Sequence, residues 1–204
     1  MRNATIADLP EIVDFIYDQF SPLEHFIFLS EDLTDSETVL RKFVQAEVSL
    51  FLRHGELKVC GDPIHGLISS IPSKKFTLFH QMIYSLPSRK LLKEISKDDR
   101  KSLLEQNKFI AEIHSPIAWH KKHSKNSHYI SMIAVAKEAR GTGVLRKMLT
   151  TVIDECQKEN KDIVLETMTE ANVPIYQHFG FELIEYHTSP NVPFAEYCFI
   201  KRPN

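Results

Sequence analysis

The sequence predicts a mixed α/β (α+β) fold, a sheet flanked by helices, and three observations carry that expectation. A short apolar run, Ile133-Ala134-Val135, leads through Arg140-Gly141-Thr142-Gly143 into an amphipathic segment. One helix length later comes a second apolar run, Ile163-Val164-Leu165. That order of strand, tight turn, helix and strand is a βαβ unit. Two further apolar runs, Leu57-Lys58-Val59-Cys60 and Ile64-His65-Gly66-Leu67-Ile68, are joined by Gly61-Asp62-Pro63, the composition of a β-hairpin. Before the hairpin, and again between it and the βαβ unit, apolar residues recur at helical spacing.

The first element reads as a helix from about Leu9 to Phe20, with Ile12, Val13 and Ile16 on one face, Pro10 in the first turn and an Asp8-x-x-Glu11 capping signal. Pro22 stops it, so Ser21 to Phe26 is expected to be a loop. A second helix is expected from about Ser36 to Arg53, carrying Val39, Leu40, Phe43 and Val44, until Gly55 breaks it ahead of the hairpin. Leu91, Leu92, Ile95, Leu103 and Leu104 then keep helical spacing among many charges, which predicts a helical insertion at about 76–125. A strand from Tyr129 to Val135 follows; strict alternation puts Tyr129, Ser131, Ile133 and Val135 on one face and His128 on the other. After the turn, Val144, Leu145, Met148, Leu149, Val152, Ile153 and Cys156 trace one helix face. A short helix from Asn172 to Phe179, stopped by Gly180, precedes strands at Phe181 to Tyr186 and near Ala195 to Ile200. No repeat or linker splits the chain, so one domain over 1–204 is expected.

The totals bound the function. A net charge of −2 offers no basic surface for nucleic acid or an anionic membrane, and neither is expected as a partner. The three cysteines, Cys60, Cys156 and Cys198, are far apart and odd in number, so reduced core thiols are expected rather than disulfides. Asp8 arrives before a signal-peptide apolar block can form and no apolar run approaches ~18 residues, so a soluble, cytoplasmic protein is expected. His114, His120, His123 and His128 crowd one region, but Lys121, Lys122 and Lys125 beside them repel a cation, and no metal is expected.

The glycine turn carries the clearest chemistry. Only six glycines occur in 204 residues, and two of them stand one residue apart here. A glycine turn opening a helix leaves several backbone N–H groups unpaired at the helix N-terminus, which is an anion site and above all a phosphate site. The Gly-Lys-Ser/Thr ending of a nucleotide P-loop is absent.

With its strand and helix, Arg140-Gly141-Thr142-Gly143-Val144-Leu145 resembles the Gln/Arg-x-x-Gly-x-Gly/Ala motif of the GNAT superfamily of N-acetyltransferases, with Leu145 standing where that motif has a small residue. Downstream, Asn172-Val173-Pro174-Ile175-Tyr176-Gln177-His178-Phe179-Gly180-Phe181 is similar to the superfamily's Asn-x-x-x-Tyr-x-x-x-Gly-Phe segment. Ser21-Pro22-Leu23-Glu24 and the helical insertion faintly resemble the arylalkylamine-type, small-amine branch, whose loop reads Glu-Pro-Leu-Asn. The resemblance implies a GNAT-like mixed, mostly antiparallel twisted sheet with a splayed central strand pair. It also implies acetyl-CoA as cosubstrate and transfer of acetyl to a primary amine, a small molecule, by direct attack in a ternary complex. A monomer or homodimer is implied.

By that resemblance the amides of Arg140, Gly141, Thr142, Gly143, Val144, Leu145 and Arg146 hold the coenzyme pyrophosphate. Ile133, Ala134 and Val135 pair with the pantetheine arm, and the Val135 amide faces the oxyanion. Asn172 bonds the same arm, and Tyr176 protonates the departing thiolate. The general base is left between Glu24 and Glu166, acting directly or through water. Tyr129 and Ser131, at positions where the small-amine branch often has histidines, and Phe26 are expected to line the acceptor pocket. The other reading open to the sequence is a non-catalytic acyl-CoA-binding or interaction module on the same fold.

Overall fold

The structure, a computed structural model, describes residues 1–77, 90, 93–114 and 119–203. Leu91 and Leu92, and the other parts of the expected insertion at 78–89 and 115–118, lie outside those residues.

Helix α1 spans Leu9–Phe20 and buries Ile12, Val13 and Ile16, the face its spacing predicts. Its cap differs from the Asp8-x-x-Glu11 signal. Asp8 accepts the Thr5 N–H at 2.7 Å and binds both terminal nitrogens of Arg2, closing a capping box one turn earlier. The expected loop after Pro22 is also different. The chain restarts as α2, Glu24–Ser30, which buries Phe26 and Leu29. A helix of seven residues is too short to declare a period, so only its burial in the fold reveals it. Helix α3 spans Ser36–His54, with Asp35 capping the Thr38 N–H. Within the insertion, α4 spans Lys97–Ile113. Its cap residue Ser96 accepts the Asp99 N–H at 2.9 Å, while Asp99 itself accepts the Thr34 N–H at 2.7 Å. Gln106 adds a bond to Asp32 at 3.0 Å. These bonds fix α4 to the connection between α2 and α3.

Among the described residues seven strands form one sheet: β1 (Arg2–Asn3), β2 (Glu56–Cys60), β3 (Gly66–Pro72), β4 (Ser127–Val135), β5 (Asp162–Thr167), β6 (Glu182–His187) and β7 (Glu196–Lys201). Their order is β1-β2-β3-β4-β5-β7-β6, and among these neighbours only β4 and β5 run parallel. Strand β1, two residues long, is too short to leave a pattern in the sequence. Helix α5 (Val144–Lys158) makes the crossover from β4 to β5, and α6 (Val173–His178) follows β5. Helices α1 to α4 cover one face of the sheet, burying Leu57, Val59, Leu67 and Ile71. Helices α5 and α6 cover the other face over Ile68, Ile130, Ile163 and Leu165. Gly66 sits under α5 so closely that a Cβ there would stand 2.5 Å from Val144 Cγ1, which holds the helix start against β3. All three cysteines are buried and free. No helix among the described residues is long and apolar enough to cross a membrane.

Two features of β4 position the site. Met132 pairs with Ser69 and Ile130 with Ser70, so Ser131 is an extra residue, a β-bulge. The bulge corrects the expected alternation. Tyr129, Met132 and Ala134 pack with the helices α1 to α4, while Ile130, Ile133 and Val135 pack toward α5. Ser69 absorbs the displaced ladder bond by accepting the Met132 N–H on its side-chain oxygen at 3.1 Å. Second, the parallel ladder to β5 holds only from Ser127↔Asp162 to Ile130↔Leu165. Beyond it the two strands separate.

Candidate active site

The gap that opens past Ile130 and Leu165 leads into two cavities. The outer one, about 630 Å³, runs from the glycine turn along Ile133, Ala134 and Val135 to Asn172, Tyr176 and Phe179. The inner one, about 360 Å³, is walled by Phe20, Phe26, Phe43, Glu47, Tyr129, Ser131 and Glu166. Phe20, Leu23, Ile133, Thr169, Asn172 and Tyr176 border both.

In the outer cavity, Ala136 donates its N–H to the His65 carbonyl at 2.9 Å, on the β3 side. Ladder alternation therefore turns the Ile133 and Val135 N–H groups to the opposite edge, into the gap. Gly141 and Gly143 adopt φ of +79° and +90°. An L side chain is strained in that region, and nothing lies within 4 Å of where a Cβ would stand on either glycine. Thr142 turns its hydroxyl inward to the Ala139 carbonyl at 2.7 Å, and no side chain caps α5. The first-turn amides of α5 thus lack an intrahelical or side-chain partner and face an open cradle. Arg140, held by Val135 O at 3.4 Å, and Arg146, beside His178 and the Phe179 ring, flank it. Leu145 lines the cavity, half-buried against the apolar cluster beneath α5.

Asn172 spans the two cavities and donates from Nδ2 to Thr167 Oγ1 at 3.1 Å, making no cap bond for α6. Tyr176 is 7% exposed, its ring edge-on to Phe181 and Phe199. Burial pushes its phenol far above the ordinary range, so it stays protonated.

The two carboxylates left open by the sequence are separated by the structure. Glu24 is exposed on α2 in a separate pocket with Tyr186 and Phe194 and lines neither cavity. Glu166 faces the inner cavity, accepting the Tyr129 hydroxyl at 2.6 Å and the Trp119 indole N–H at 3.2 Å. Burial, joined by the nearby Glu196 charge, pushes its pKa up to about 7 against these bonds. Its ligating atoms lie within 4.8 Å of those of His114 and Glu196. Protein donors occupy these groups: His114 Nδ1 bonds Glu196, which is wholly buried, and that bond raises the imidazole pKa. Tyr129, Ser131 and Phe26 all border the inner cavity, the tyrosine ring stacked on Phe76 at 5.1 Å.

Three cavity groups had no signal in the sequence. Glu47 sits inside the regular pattern of α3 and reads as a solvated helix charge until the fold turns it inward. His25 lies in the stretch expected to be a loop; its Nδ1 is buried without a partner, and burial lowers its pKa to about 4, which keeps it neutral. His114 ends α4 and reaches the cavity only because the insertion docks over α2.

Comparison with known proteins follows the same lines. A family model described as acetyltransferase (GNAT) domain matches residues 73–191, more than half of the chain. An uncharacterized N-acetyltransferase of Schizosaccharomyces pombe is 36% identical over 61 residues, 30% of this chain and 25% of that one. The match therefore spans a quarter of that relative's length. A Corynebacterium glutamicum structure described as histone acetyltransferase HPA2 and related acetyltransferase superposes with a TM-score of 0.66 at 20% identity, over 100% of this chain and 95% of that one. Arylalkylamine N-acetyltransferase 2 from Aedes aegypti gives 0.62 at 12% identity, over 100% and 99%. The polyamine N-acetyltransferase of Drosophila melanogaster gives 0.59 at 11% identity, over 98% of each. At these identities the solved structures share the fold. With the family model spanning the glycine turn, both separating strands and the Tyr176 helix, the chain belongs to the GNAT acetyltransferase family.

Proposed function

We propose that the protein is an acetyl-CoA-dependent N-acetyltransferase that passes acetyl to a small primary amine by direct attack in a ternary complex. The single observation that carries this reading is the junction of the two cavities at Ile133, Asn172 and Tyr176, where an anion cradle on one side meets a carboxylate-bearing pocket on the other. The residues fit the cosubstrate: uncapped amides at the start of α5 and space beside Gly141 and Gly143 suit a pyrophosphate. The strand edge at Ile133 and Val135 suits an amide-bearing arm added as a strand would be.

Acetyl-CoA supplies an activated thioester. Around it Arg140 and Arg146 contribute charge, and Asn172 orients the arm. The Val135 N–H points where negative charge grows on the carbonyl oxygen. Glu166 takes the proton of the incoming ammonium, the Tyr176 hydroxyl donates its proton to the departing sulfur, and the second proton that the nitrogen sheds as the amide forms returns to the Tyr176 phenolate. Holding amine and thioester at one junction supplies much of the acceleration. Solved GNAT proteins described as acting on arylalkylamines and polyamines support a small-amine acceptor.

Calorimetry with acetyl-CoA combined with a thiol-release screen over primary amines tests the reading. Binding plus release is the expected result. Binding without release from any amine would support the non-transferring module, for which Leu145 in the cleft wall is the motive, and no binding would end both readings. Gly143→Ala provides a local check. A methyl at φ +90° is expected to lower stability by about 1–2 kcal/mol in urea titration and to weaken acetyl-CoA binding on the order of tenfold.

A further inference from the structure

The inner cavity holds a second carboxyl group, Glu47, that a single-amine reaction does not use. Glu47 lies one helical turn beyond Phe43 on α3, so ring and carboxylate share the face that borders the cavity. It has no hydrogen-bond or ion-pair partner among the described residues. Among the described residues no lysine or arginine lines the cavity. Of the other titratable groups facing it, Glu166 is the proposed base, the Tyr176 phenol keeps its proton, and His25 has a buried Nδ1 without a partner. His25 is neutral, His114 is bound to Glu196, and Tyr129 is bound to Glu166. Burial pushes the Glu47 carboxyl up from its ordinary value, as expected of a charge lacking a counterion in a largely apolar pocket.

A single amine does not answer this charge. The attacking nitrogen gives up its proton to Glu166 and is neutral when it reacts, so it cannot remain the counterion of Glu47. A second cation can, held by the carboxylate and by the face of an aromatic ring. We infer that the acceptor is a short aliphatic amine bearing a second cationic group, with Glu47 and Phe43 holding the distal charge. This inference rests on the transferase reading for the reacting end and on Glu47 alone for the distal end.

The test pairs 1,4-diaminobutane with n-butylamine, which differ only in the second charge, and adds 2-phenylethylamine as the apolar competitor. Both kcat/KM by thiol release and binding by calorimetry in the presence of coenzyme A are measured on the wild type and on Glu47→Gln. The wild type is expected to prefer the diamine over butylamine at least tenfold in kcat/KM, mainly through KM. In Glu47→Gln that ratio falls to near unity, and diamine binding weakens by a similar factor. Equal use of the two aliphatic amines, preference for the aryl amine, or an equal loss of kcat for all three amines in Glu47→Gln would overturn the inference while leaving the transferase reading standing. Diamine binding that depends on Glu47 without any thiol release would do the reverse. Neither binding nor release would overturn both.

Discussion

Tyr176→Phe is expected to lower kcat on the order of a hundredfold while leaving KM for acetyl-CoA within about twofold, because it deletes one proton donor and nothing else. The ring keeps its edge contacts with Phe181 and Phe199, so the fold has no reason to loosen. The wild-type phenol is held far above its ordinary pKa by burial, so it remains an acid across the whole assay range and the loss is expected to be pH-independent from pH 6 to 9. Stopped-flow or steady-state thiol release against pH measures this. Full kcat at every pH in the phenylalanine variant would return Tyr176 to a purely packing role.

Glu166→Gln is expected to move activity and stability in opposite directions. Glu166 is raised to about 7 in the fold from an ordinary 4.5, burial being the largest cause. Below pH 4.5 both the folded and the unfolded chain hold the proton, and the residue exacts no penalty. Between 4.5 and 7 the unfolded chain releases its proton while the fold retains it, so stability falls as pH rises; above 7 the penalty is constant. Glutamine cannot ionise. The variant should therefore match the wild type near pH 4.5 and exceed it by on the order of 1–3 kcal/mol at pH 8, read by urea titration at both pH values. The gain is trimmed because the amide accepts less well from the two donors, Tyr129 and Trp119. As the proposed base, wild-type Glu166 makes kcat/KM rise with pH through about 7. The variant should lose that limb and on the order of a hundredfold in rate. A variant that is both stable and fully active would remove Glu166 from the mechanism, and Glu24, exposed and lining neither cavity, is not placed to replace it.

Much of the fold was legible because its long elements carry their period openly. Helix α1 and the face of α5 that buries Met148, Leu149, Val152 and Cys156 match the spacing in the sequence. What escaped was either short or displaced. Strand β1 and helix α2 have too few residues to show a period. The Ser131 bulge inverted the assignment of Ile133 and Val135 to the Tyr129 face, because one extra residue shifts every later side chain to the other side of a strand. The Asp8 cap departs from its sequence signal for a different reason. Thr5 and Arg2 compete for the same carboxylate and hold it one turn earlier.

The sequence by itself determined the glycine turn at Arg140 to Gly143, the helix it opens and the segment from Asn172 to Gly180, since backbone torsions, capping and periodicity act among near neighbours. Only the tertiary structure decided which charges face the reaction. Glu166 and Glu47 stand on β5 and α3, far apart in the chain, and what turns both into one cavity is the end of the β4–β5 ladder at Ile130 together with the docking of α3 and α4 across it. Burial and the company of other charges, which set a carboxylate's proton affinity, are properties of that packing and have no signature in the residues on either side.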